Sequence, residues 1–319
     1  MDENIFNKLN SIDNTIIPHW KIQMAIKKIN RCLQMSIGAS EPVNFLLTGN
    51  GGTGKTTVCN AIISQLRRSS SQFIIKDNKQ IPIINAFYAL VPNPVTIKGI
   101  ASAMLNSLGA PSPSRGNAID LTYRLGALLK EFNTKVIILD EFHHLLEKDR
   151  GKNNDVKNWV KSLINEFKVP IVLVGTPECE SLIDEEFQLS RRFHYRVQLT
   201  NLNLGVENKK GELRKFVSAL SKVFVDKLGL NSFPNFESYS SCLPLYLATN
   251  GNPSSVVRLF KEATLLALEG GADSVDISHI GKAFDEVVLP DVQVKKNPFS
   301  MGRSEMNRKL NSLRRVSNG

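Results

Sequence analysis

The sequence has little of what would mark a secreted or membrane-bound protein. Its four cysteines, Cys32, Cys59, Cys179 and Cys242, stand far apart with no CxxC pair. That spacing excludes a disulfide framework and a zinc ribbon and fits a reducing compartment. No apolar run approaches the ~18 residues of a membrane span, so no membrane partner is expected. The start, Met1-Asp2-Glu3-Asn4, has neither the basic nor the apolar region of a signal peptide. A soluble, cytoplasmic protein is the expectation. There is no internal repeat, and the one low-complexity tract is Ser69-Ser70-Ser71. Acid is scarcer than base, 30 Asp+Glu against 40 Lys+Arg, for a net charge of +10 and a pI near 9.4. Such an excess favours polyanionic partners, nucleic acid first. At 319 residues the chain has room for one large domain or two smaller ones.

Between Val43 and Thr200, short apolar runs alternate with segments of helical periodicity, the pattern of a parallel sheet covered on both faces. Val43 to Thr48, Ile81 to Leu90, Val136 to Leu139, Ile171 to Val174 and Tyr195 to Leu199 read as its five strands. Val58, Cys59, Ile62, Ile63 and Leu66 make one helical stripe; Val156, Trp159, Val160, Leu163, Ile164 and Phe167 make another. After about Leu204 the β-branched runs stop and amphipathic helices take over, the best marked carrying Val256, Leu259, Phe260, Ala263 and Ala267 behind the breaker Gly251-Asn252-Pro253. The fold class expected is α/β, a P-loop NTPase with a parallel sheet flanked by helices and followed by a small helical lid. The domains expected are 1–204, the nucleotide-binding domain with an N-terminal helical extension; 205–290, the lid; and 291–319, a basic and flexible tail.

One segment carries specific chemistry. Gly49-Asn50-Gly51-Gly52-Thr53-Gly54-Lys55-Thr56 matches GxxxxGK[ST] in full, after a strand and before a helix. Its glycines free backbone N–H groups to face phosphate, and the following helix adds a favourable dipole. These residues, with Thr57, are expected to bind ATP, Lys55 reaching the β- and γ-phosphates and Thr56 placing its hydroxyl on Mg²⁺. A second segment, Val136-Ile137-Ile138-Leu139-Asp140-Glu141, is an apolar strand ending in two carboxylates. Asp140 is expected in the Mg²⁺ shell and Glu141 as the group that polarises the attacking water. His143 and His144 follow, and with no cysteine or further carboxylate nearby in sequence they read as ordinary histidines.

The order of glycine loop, DE strand, Ile171-Val172-Leu173-Val174-Gly175-Thr176, Ser190-Arg191-Arg192-Phe193 and helical lid resembles an AAA+ ATPase over most of residues 15 to 290. The resemblance implies that Thr176 senses the γ-phosphate. It also implies that Arg192, or else Arg191, acts in trans on a neighbouring subunit's ATP, Arg192 directly preceding Phe193. Four segments look closer still to the TnsC/TniB group of transposon-encoded ATPases, which are similar to the phage MuB protein: Asp140 to Leu146, Val172 to Glu178, Leu108-Gly109-Ala110-Pro111 and Arg191-Arg192-Phe193. The lid departs from the pattern, since serines follow Gly251-Asn252-Pro253 and the arginine that would meet nucleotide comes later, at Arg258. This likeness implies a regulator of DNA transposition that assembles on double-stranded DNA with ATP, as a homo-oligomeric ring or filament. It would connect a target-selection protein of the TniQ/TnsD type to a transposase. It also implies DNA contacts near Pro94 to Lys98 and Ser114 to Asn117, and so Lys98, Arg115 and Asn117 as phosphate contacts.

Other readings stay open. A replication initiator or helicase loader would share every ATP residue, although about 115 residues after Leu204 are cramped for a lid plus a winged helix. A secretion ATPase of the ExeA type normally brings a membrane span. A nucleotide-binding switch or scaffold without turnover would not need Glu141. A DExH helicase would need a second RecA-like domain.

Overall fold

A strand covered on both faces cannot alternate apolar with polar, and three segments here are apolar at nearly every position. In the computed structural model, which describes residues 3–13, 15, 17, 19–69, 72–76, 78–92, 96–146, 150–290, 292 and 294–316, these segments form the middle of a parallel sheet. The chain opens with α1 (Glu3–Asp13), α2 (Trp20–Ser36), β1 (Phe45–Gly49), α3 (Lys55–Arg68), β2 (Phe73–Lys76), β3 (Lys79–Pro82) and β4 (Ala86–Leu90). It continues through α4 (Ile97–Ser107), α5 (Ala118–Glu131), β5 (Val136–Asp140), a 3₁₀ turn (Phe142–Leu146), α6 (Arg150–Phe167), β6 (Ile171–Gly175), α7 (Cys179–Asp184), α8 (Phe187–Arg192) and β7 (Tyr195–Leu199). The sheet order is β4-β5-β6-β1-β7 with every pairing parallel. Strands β1, β5 and β6 are buried along their whole length.

Period-two alternation sends their side chains into two cores. Leu46, Ile137, Leu139, Ile171 and Leu173 face a core with Met104 of α4, Leu125 of α5 and Leu163 of α6. Phe45, Leu47, Val136, Ile138, Val172 and Val174 face the other, with Ile29 of α2 and Ile62 of α3. The run Ile81 to Leu90, expected as one strand, is two. Its first part, as β3, pairs antiparallel with β2 across a turn at Asn78 (φ 58°), and only β4 joins the sheet. The β3 residues Lys79 and Gln80 are exposed, and Pro82 lacks a backbone donor, so this stretch does not suit an interior strand.

The chain divides into two compact units: Lys21–Gly51 with Lys55–Leu199, and Met1–Trp20 with Gly52–Gly54 and Thr200–Gly319. In the second, a short hairpin of β8 (Gly205–Val206) and β9 (Lys209–Lys210) leads to α9 (Glu212–Leu228), α10 (Tyr239–Thr249), α11 (Pro253–Glu269), α12 (Ile277–Glu286) and α13 (Arg303–Val316). Its core is built on Phe224, Phe236 and Phe260, the first and last edge-to-face at 5.9 Å. Asn252 caps α11 by accepting from the Ser254 and Ser255 N–H groups, and the Ser254 N–H also donates to the Gly52 carbonyl at 3.2 Å.

Two parts of this unit differ from expectation. Residues 1–20 were assigned by sequence to the nucleotide-binding domain, yet Leu9, Ile12 and Ile17 bury in the helical core. The flexible tail expected after Asp291 is in large part a helix, because Met301, Met306 and Leu310 bury against the same core while Arg308 and Lys309 face solvent. Counting charge hid that amphipathic spacing. Among the described residues, no helix is long and apolar enough to cross a membrane.

Candidate functional site

Because β1, β5 and β6 run parallel, their carboxyl ends lie on one edge of the sheet, the edge where open α/β folds place their ligands. The glycine loop leaves β1 there, Asp140 ends β5, and Gly175-Thr176 ends β6. Within the loop, Gly52 (φ 74°) and Gly54 (φ 101°) adopt left-handed conformations that side chains disfavour. Lys55, first residue of α3, donates its ammonium to the carbonyls of Gly49 (2.7 Å) and Asn50 (3.1 Å), which folds it over the loop it follows. Thr53 is buried; Gly49 is buried, and Asn50, Gly51 and Thr56 are exposed, with Thr57 half-buried.

Asp140 is 3% exposed. Its carboxylate accepts from the Tyr88 hydroxyl at 2.7 Å and from the Glu141 N–H at 2.8 Å. Burial, and then the Asp140 acceptor, push the Tyr88 phenol above its ordinary range, so it stays a proton donor. Burial, with Asp140 next, likewise pushes the Cys59 thiol up to about 12 and keeps a neutral group beside the carboxylate. Sequence reasoning missed Tyr88. A hydroxyl inside an apolar run was the available signal, but that β4 is the neighbour of β5, with Tyr88 level with Ile138, is a matter of topology.

Glu141 turns the chain off the strand in a left-handed conformation (φ 58°) and is half-buried. Holding a non-glycine residue there costs conformational energy and is typical of functional sites. One of its carboxylate oxygens lies 3.2 Å from the Nδ1 of His143. His144 packs against His143 and donates from Nδ1 to the Val91 carbonyl at 3.0 Å. The histidines read as ordinary from sequence are therefore grouped with the carboxylate at the strand tip. The chain passes close by here: a Cβ on Gly175 would stand 2.6 Å from Cys179 Sγ and 3.2 Å from the His143 backbone nitrogen. Thr176, half-buried, hydrogen-bonds the Glu178 carboxylate and holds it below the usual carboxylate range. One strand over, Thr48 donates to Glu180 at 2.6 Å.

The three arginines around Phe193 are in different situations. Arg196 is pinned by Asp184 (2.6 and 2.8 Å), Ser190 and the Phe193 carbonyl, a structural clamp. Arg191 is exposed and lies over the Phe187 ring at 5.8 Å. Arg192 is half-buried, and its Nη1 is buried without a hydrogen-bond partner among the described residues.

Lys98 is exposed in the first turn of α4, capped by Thr96. Arg115 is exposed in a loop that Arg124 clamps through the carbonyls of Pro111, Ser112 and Arg115. Asn117 is the N-cap of α5: its side chain accepts from the Ile119 and Asp120 N–H groups, and the Asp120 carboxylate in turn accepts from the Asn117 N–H. That cap is a structural reason for asparagine at this position. Pro94 and Val95 lie outside the described residues. Arg258 is exposed on α11.

The sequence matches the family "Bacterial TniB protein" over residues 9–201. The chain belongs to the TniB family. The match spans more than half of the chain and takes in the glycine loop, the DE strand and the Arg191-Arg192 pair. An ORC1-type DNA replication protein of Desulfurococcus amylolyticus is 24% identical over 276 residues, 85% of this chain but 64% of that relative, so the chain spans under two thirds of its length. Among solved structures, Cdc6p from Pyrobaculum aerophilum superposes with a TM-score of 0.62 at 11% identity, covering 99% of this chain and 90% of that one. The Aeropyrum pernix ORC1 protein in complex with DNA gives 0.59 at 19% identity, covering 85% and 66%. At such identities these structures establish the fold, that of the AAA+ ATPases. This TniB-family chain therefore has the AAA+ fold.

Proposed function

We propose that this TniB-family ATPase is an ATP- and Mg²⁺-dependent DNA-binding regulator of DNA transposition. In this reading it oligomerises on duplex DNA and links a TniQ/TnsD-type target-selection protein to the transposase. The observation that carries the nucleotide part is the shared strand edge, where the glycine loop, buried Asp140, Glu141 and Thr176 converge. The donor set fits the reactants. Loop N–H groups and the Lys55 ammonium suit phosphates, and the Thr56 hydroxyl with the Asp140 carboxylate suits a hard, oxygen-seeking cation. Mg²⁺ bound there would neutralise charge on the phosphates. Tyr88 holds Asp140 in one orientation, Glu141 accepts a proton from the attacking water, and Thr176 orients the γ-phosphate. Arg192 or Arg191 of a neighbouring subunit completes the site in trans, with Arg258 as a further nucleotide contact.

The transposition part is supported by the family match, and the DNA part by the +10 charge and by the likeness in fold to the Aeropyrum pernix ORC1 protein, whose structure is a complex with DNA. A second reading, a replication initiator, is favoured by the ORC1-type relative, which however is covered only in part. Electron microscopy with an ATP analogue and random-sequence duplex separates the two. A ring or filament indifferent to sequence is expected; a discrete complex confined to one origin-like sequence contradicts the proposal. Lys98 and Arg115, as phosphate contacts, should each flatten the log–log salt dependence of duplex binding by about one unit when replaced by alanine. Weaker binding at unchanged slope would count against both.

A further inference from the structure

The glutamate that the proposed reaction needs is also the first member of a cluster that reaction does not use. Ligand atoms of Glu141, His143 and His144 all lie within 4.8 Å of one another, and all three residues are half-buried. The Glu141 oxygen and His143 Nδ1 are 3.2 Å apart. Two ligands of a tetrahedral zinc ion at about 2.0–2.1 Å stand about 3.3 Å from each other, so this pair is already spaced for one ion. His143 Nδ1 is buried and makes no hydrogen bond of good geometry, with the Glu141 carboxylate oxygen as its polar neighbour. His144 supplies the remaining requirement. By donating its Nδ1 proton to the Val91 carbonyl it fixes the tautomer that leaves a lone pair on Nε2, the arrangement found behind most metal-bound histidines. One carboxylate and two imidazoles suit zinc and its borderline neighbours, whereas Mg²⁺ prefers the all-oxygen set of Thr56 and Asp140.

We infer that Glu141, His143 and His144 form an inhibitory site for a zinc-class divalent cation, one that occupies the Glu141 carboxylate and stops ATP turnover. The regulatory half rests on Glu141 being the group that activates water; the binding half does not. The α2, α3, α7 and α10 cysteines are buried, and among the described residues this is the group of three or more side chains spaced to hold a metal ion.

The test uses the full chain, stripped with chelator and returned to excess Mg²⁺, with Zn²⁺ alone as the probe. Calorimetry should find one equivalent bound by wild type and at least about tenfold weaker binding by His144→Gln. Steady-state hydrolysis of the chelated proteins should be the same for both, and added Zn²⁺ should inhibit wild type while leaving His144→Gln active. His143→Asn, should His144→Gln fail to fold, makes the same prediction for binding. Co²⁺ substituted for Zn²⁺ should give a spectrum without thiolate charge transfer, and a thiolate band would overturn the assignment by moving the ion to a cysteine. Equal zinc affinity in wild type and both variants would also overturn it. Zinc bound through His144 with turnover untouched would overturn inhibition. If chelated wild type has no turnover under any condition yet binds zinc through His144, the reading of Glu141 fails while the metal site stands.

Discussion

Among the described residues, each unit of the molecule has one carboxylate or guanidinium that is almost completely buried, and the two are treated in opposite ways. Arg214, 2% exposed on α9, donates to the carbonyls of Leu204, Val206, Lys209 and Glu237, and so ties the β8–β9 hairpin to the helical unit. Asp140, 3% exposed at the tip of β5, receives two donors, the Tyr88 hydroxyl and the Glu141 N–H. A guanidinium with four of its five donors taken up by protein carbonyls has little left to offer a ligand. A buried carboxylate with about four acceptor sites and two donors keeps capacity in reserve. Burying a charge is costly in either case. In one unit the compensation comes from the chain itself, and in the other the proposed function assigns part of it to a bound cation.

The contrast can be pressed at three points. The largest effect belongs to an arginine left unfinished: Arg192→Ala should lower hydrolysis in the assembled state by about 10³–10⁵ while leaving ATP affinity near normal. Mixing it with Lys55→Ala subunits should restore part of the rate, and a mixture as inactive as its components would assign the role elsewhere, Arg191 being next. Arg214→Met comes second. It strands several buried carbonyls at about 1–3 kcal/mol each, so chemical denaturation should show a loss of about 3 kcal/mol or more. ATP turnover per folded molecule should hardly change; a catalytic defect at full stability would contradict the structural assignment. The smallest is Tyr88→Phe, which removes one donor from Asp140. Supporting residues of this kind are worth about 10–100-fold in metal affinity, so the Mg²⁺ dependence of hydrolysis should shift by that order with no change in fold. An unchanged Mg²⁺ requirement would mean that Asp140 needs no such support.

What could be read from the sequence follows the same division. The glycine loop and the DE strand were legible because their chemistry is local, eight residues in one case and two at a strand end in the other. The sheet was legible because Phe45 to Leu47, Val136 to Leu139 and Ile171 to Val174 are apolar without interruption. Groupings made by topology were not. Tyr88 meets Asp140 only because β4 neighbours β5, and the left-handed turn at Glu141 brings its carboxylate to His143. Charge counting misjudged residues 303–316, since Met306 and Leu310 recur at helical spacing among the basic residues and bury. Asn117, which the family resemblance implied as a DNA contact, has a role that the resemblance did not reveal: its side-chain oxygen caps α5.

The most direct test of the central claim, that the shared strand edge is a site of ATP hydrolysis with Glu141 as its water-activating group, is Glu141→Gln. The substitution keeps the size of the side chain and removes its charge, while Asp140 and the Lys55 loop remain. ATP affinity by calorimetry and hydrolysis by phosphate release should be measured on the same preparation, with and without duplex DNA. The account predicts affinity within a few-fold of wild type and hydrolysis at background, together with complexes on labelled duplex that outlast those of wild type in the presence of ATP. Hydrolysis at the wild-type rate would contradict it.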